Sequence, residues 1–108
     1  MALTYYMKQV AEIKAALLAL GRRLRLARLG RNDSMAVFAQ RIGVSEQTVR
    51  AMERGLPTVQ IGTWLEALWV LNELEPLDHL LEKRESLLDR ARREESARQR
   101  QRASRRGK

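Results

Sequence analysis

Apolar residues recur at Leu3, Tyr6, Val10, Ile13, Leu17, Leu20 and Leu24, with spacings that alternate between three and four. That is a helical, heptad-like stripe. Thr4 is a suitable N-cap, and Gly30 and Asn32 suit the end of the run. The stripe stays in phase across Gly21. It predicts one helix to about residue 29, or a kink at Gly21, where glycine costs a helix interior about 1 kcal/mol. Beyond it, Ser34 heads a short helix over 35–41 with Phe38, Ala39 and Ile42 on its inner face. Gly43 stands at a C′ position, where a positive φ is needed. Val44 is the apolar residue of the turn. Ser45 heads a third helix over 46–54, with Val49 and Met52 inward and Gly55 closing it.

A loop containing Pro57 leads to a fourth helix over 61–71, with Leu65, Leu68 and Leu71 expected inside and Asn72 at its end. Trp64 and Trp69 make that helix apolar nearly all round. So small a domain cannot bury both faces, which points one of them at a partner. Pro76 and Asp78 suit the first turn of a fifth helix carrying Leu77, Leu80, Leu81, Leu87, Leu88 and Ala91. After Glu95 only Ala97 and Ala103 are apolar, so 96–108 is expected to be frayed or disordered.

Composition narrows the picture to an all-α fold. Pro and Gly are few (2 and 6 of 108 residues), and Leu, Ala, Arg and Glu dominate. With no cysteine there is neither a disulfide framework nor a thiolate metal site. No cofactor site, metal cluster, nucleophile–base pairing or phosphate loop is visible, so an enzyme is not expected. His79 is lone and reads as an ordinary helix residue. The start lacks a signal-peptide pattern and the longest apolar run, 15–20, is too short for a bilayer. A cytoplasmic location without membrane contact is therefore expected.

The net charge of +8 is unevenly placed. Residues 90–108 hold nine Lys/Arg against two acids, whereas 1–89 hold twelve against eleven. The tail carries the basicity and suits a polyanion.

Two short helices joined by a glycine turn make a helix-turn-helix. The segment from Ser34 to Gly55, with Ala39, Gly43, Val44-Ser45, Thr48-Val49 and Glu53-Arg54-Gly55 in register, resembles the Cro/cI-like, xenobiotic-response-element family. The likeness runs from Leu20 to about Leu74. It implies a five-helix lambda-repressor-like DNA-binding domain over 20–75, here with an N-terminal helical extension (1–19), a C-terminal helix (76–95) and a basic tail (96–108). Met35 stands where the family usually has a polar residue, and Asp33 where it prefers an apolar one.

A helix of this kind enters the major groove, and its first residues reach base edges. The expected base readers are Glu46, Gln47, Arg50 and Ala51. Gln can bond adenine bidentately, Glu can accept from cytosine, and Arg can pair with guanine or phosphate. Ser45, Thr48, Arg41, Arg54 and Thr63 are the expected phosphate contacts. The resemblance further implies that Arg28 pairs with Glu53. Trp64, Trp69, Leu77 and Leu81 are the expected dimer or partner interface.

The stretch from Glu53 to Leu71, with its Gly-x-Pro-x-Val-x-x-Gly-Thr pattern at Gly55–Thr63, is similar to HipB-like regulators, which partner HipA-like kinase toxins. It implies a homodimeric repressor of a toxin–antitoxin operon on a pseudo-palindromic site. A phage-type or chromosomal repressor without a toxin shares most of the pattern. A docking module built on the same helix pair, or an RNA binder acting through the Arg-rich tail, are the rivals from other classes. The tail has no aromatic residue on which bases could stack.

Overall fold

The computed structural model describes residues 2–83 and 86–106 and is all-helical, with no strand among the described residues. Residues 1–77 and 78–108 form two compact units.

In the first unit, α1 spans Ala2–Gly30 as one unbroken helix. Gly21 does not kink it. A Cβ there would lie 2.5 Å from the Glu53 carbonyl oxygen and 2.7 Å from that of Met52. Gly55, at φ +72°, is as tight: its Cβ would lie 2.6 Å from the Leu17 carbonyl oxygen. Two glycines thus let the backbones of α1 and the end of the third helix approach more closely than any side chain permits.

Helix α2 spans Met35–Ile42 and α3 spans Glu46–Glu53. Each begins at a serine whose hydroxyl accepts a backbone N–H three residues on: Val37 N–H to Ser34 at 3.1 Å, and Thr48 N–H to Ser45 at 3.2 Å. Gly43, at φ +73°, ends α2, and its N–H and that of Val44 return to Gln40 and Ala39 carbonyls. Helix α4 spans Ile61–Val70, and Asn72 follows it at φ 58°.

Phe38, Val49 and Met52 are fully buried, and Leu24, Ala39, Ile42, Trp64 and Ala67 complete the core. Burying a side chain of this size contributes roughly 1.5–3 kcal/mol, enough for α2 and α3, at eight residues each, to exist. Met35 and Val44 pack against the cluster from its edge.

Four expectations change. Trp64 lies in the core at 6% exposure rather than on a free face. Leu65, expected inside, stands out with Ile61 and Trp69 at a spacing of four. The expected fifth helix over 76–95 is divided. A 3-10 turn covers Glu75–His79, Leu81 takes φ 65°, and α5 runs Leu87–Arg106 from the Ser86 hydroxyl, which accepts the Asp89 N–H. A left-handed leucine cannot continue a helix. Leu81 is almost fully exposed and Leu77 half-buried.

The stretch after Glu95, expected to be frayed or disordered, is helical as far as Arg106, although only Ala97 and Ala103 are apolar there. Helix α5 buries nothing: among 87–104 only Asp89 is less than exposed. Strong helix formers and short-range ion pairs, Arg90–Glu94 at 3.5 Å and Arg98–Glu95 at 3.3 Å, favour the helix locally. Gly107 and Lys108 of the expected tail lie outside the described residues.

Candidate nucleic-acid interface

Helix α3 has two chemically opposite sides. Val49 and Met52 face the core with no exposure. Glu46, Gln47 and Arg50 are exposed, and Ala51 is half-buried beside them. The Ser45 cap fixes where the helix starts, and the Gly43 turn fixes how it leaves α2.

Next to this outer face lies an open depression of about 400 Å³. Ser45, Gln47, Thr48 and Ala51 line one side, and Thr58, Gln60 and Thr63 the other. It gathers two expected base readers with three expected phosphate contacts. Ser45 and Thr48 have part of their capacity engaged, since their hydroxyl oxygens are 3.1 Å apart and the Ser45 hydroxyl also accepts the Thr48 backbone N–H of the cap. Gln60 places no side-chain cap on the first N–H groups of α4. Glu46, Arg50 and Arg54 do not line the depression. Arg54 is the exposed C-cap of α3.

Beneath this surface Arg28 clamps α1 to α3. Its Nε and Nη2 donate to the two Glu53 carboxylate oxygens at 3.1 and 2.9 Å, and Nη1 donates to the Asp33 carbonyl at 3.0 Å. Both side chains of the pair are more than nine-tenths buried. The fork fills both carboxylate oxygens, which is the condition under which a buried ion pair is tolerated.

Asp33 is a structural residue that its sequence position did not reveal. Its side chain is 8% exposed, and Oδ2 makes no hydrogen bond but sits 3.5 Å from Nε of both Arg31 and Arg41. Arg31 also donates to the Val70 carbonyl at 2.9 Å, tying the end of α1 to the end of α4. Arg41, expected on phosphate, is thus paired on one edge and half exposed. A lone acid with arginines two residues before and eight after it is the signal the sequence did carry.

Of the other expected partner residues, Trp69 is 67% exposed. His79 Nδ1 lies 2.8 Å from Glu82, an exposed neighbour pair. Among the described residues no group of His, Cys, Asp or Glu is placed to hold a metal, and no helix is long and apolar enough to cross a membrane. Compared with models of protein families, with curated proteins and with solved structures, the chain matches none.

Proposed function

We propose that the chain is a sequence-specific, double-stranded-DNA-binding repressor that reads an operator with α3 through a lambda-repressor-like helix-turn-helix. The observation that carries the reading is the polarity of α3. A core-locked inner face of Val49 and Met52 opposes an outer face of Glu46, Gln47 and Arg50 that the fold leaves without packing duty. Side chains of those types on a helix lying in the major groove are the ones that discriminate base edges. Ser45, Thr48 and Thr63 line the depression beside them, and hydroxyls of this kind can donate to phosphate oxygens. Arg41 and Arg54 add charge, and the arginines of α5 add a sequence-independent attraction.

The protein acts as a homodimer on a pseudo-palindrome, with half-sites roughly 34–36 Å apart or a multiple of that. Selection from randomised duplexes tests this. An enriched pair of inverted half-sites at that spacing is expected, and enrichment of no sequence contradicts it.

The likeness to HipB-like regulators adds a second partner, a kinase toxin. The row Ile61, Leu65 and Trp69 on α4, exposed at 74%, 36% and 67%, favours a protein ligand there. Trp69→Ala is expected to abolish capture of a co-expressed HipA-like kinase while sparing operator binding. Capture unchanged by the substitution contradicts this role for the row.

A further inference from the structure

We propose that the first twenty residues of α1 form a dimerisation arm that pairs antiparallel with the arm of a second copy of this chain. The proposal locates the interface of the homodimer proposed above, and the arm pairing itself does not depend on DNA binding.

From Leu3 to Ile13 the stripe has no cover within its own unit. Leu3, Tyr6, Val10 and Ile13 are 71%, 61%, 46% and 52% exposed. A helical segment of only about a dozen residues with no tertiary packing is marginal in water. Its alternating three-and-four spacing is the pattern two helices need to interlock, and a stripe of that kind is complementary to itself. Burying the exposed faces removes on the order of 500 Å² per chain, or about 1,000 Å² in all, where specific interfaces begin.

The direction follows from what the stripe meets at its other end. At Leu20 and Leu24 it runs into the body, where Leu24 is buried and both line an apolar groove of about 440 Å³ with Trp64, Leu68 and Leu71. Parallel pairing would drive the second helix into the space α4 occupies. Antiparallel pairing ends the second arm at that groove. The register that uses the whole stripe sets Leu3 against the partner's Leu20, Tyr6 against the partner's Leu17, and Val10 against the partner's Ile13. At 1.5 Å per residue the two Gly21 positions fall about 30 Å apart, close to one turn of duplex DNA.

Sedimentation equilibrium of the full chain and of Val10→Glu/Ile13→Glu tests the pairing. The wild type is expected to be a dimer at micromolar concentration. The double variant should keep its cooperative melt and lose the dimer, with at least a 100-fold weaker association. A monomeric wild type, or a variant that still dimerises, overturns the proposal. Direction is read by cross-linking, since the chain has no cysteine. Mixed Tyr6→Cys and Leu17→Cys chains should form the mixed disulfide, while Tyr6→Cys alone should not cross-link. Efficient cross-linking of Tyr6→Cys to itself overturns the antiparallel arrangement. An arm dimer that selects no duplex would sink the repressor reading and leave this one standing.

Discussion

The two halves of α1 carry the same stripe and meet opposite fates. In the second half Leu24 is 4% exposed and Arg28 7%, because α3 closes over them through the two glycine contacts. In the first half Leu3 is 71% exposed and Tyr6 61%. One helix, with one periodicity, is therefore fastened by its neighbours at one end and only by its own backbone at the other. A repeating apolar pattern specifies which face wants cover. It does not specify whether the cover comes from the same chain.

The contrast can be broken first at its fastened end. Arg28→Ala strips the partner from a Glu53 carboxylate that is more than nine-tenths buried. It is expected to cost about 3–5 kcal/mol by urea unfolding. A loss under about 1 kcal/mol would mean that the clamp does not hold α1 to α3. Next, Gly21→Val forces side-chain atoms against two backbone carbonyls that have no room to move. The expected loss is about 1–3 kcal/mol or somewhat more. The matched change Ala15→Val, on the exposed arm, should cost about 0.6 kcal/mol by helix propensity alone. Equal losses at the two sites would erase the distinction between the halves.

A smaller effect is expected where α5 is concerned, because that helix buries so little. Ala97→Gly should lower helicity locally by about 1 kcal/mol and leave the cooperative melt of residues 1–77 in place. Removing residues 96–108 should make log K less steep against log salt by about 0.9 for each phosphate that the tail no longer neutralises, without reordering the preferred sequences. An unchanged slope would show that the tail does not touch DNA.

The short helices were legible in the sequence because caps, turn glycine and inward residues agreed: Ser34, Gly43 and Ser45 each do what their types favour. Of the expected base readers, Glu46, Gln47 and Arg50 lie exposed on one helix, and Ala51 is half-buried beside them. What escaped was tertiary. Gly21 reads as a flaw in a helix because nothing in the local pattern reveals a facing backbone some thirty residues further along the chain, at Met52 and Glu53. Trp64 and Leu65 exchange roles because a helix apolar all round has no phase to read. The segment after Pro76 looks helical from its leucines, but with no core to receive them Leu81 turns left-handed. Asp33 looks misplaced until Arg31 and Arg41 stand on either side of it.

The central claim is that the outer face of α3 reads bases. Its most direct test is the binding of Gln47→Ala to the selected operator and to random duplex of equal length, at one salt concentration. The account predicts a loss of about 1–3 kcal/mol on the operator, relaxed preference at a single base pair, and almost unchanged affinity for random DNA. An equal loss on both duplexes, or none on either, would contradict it.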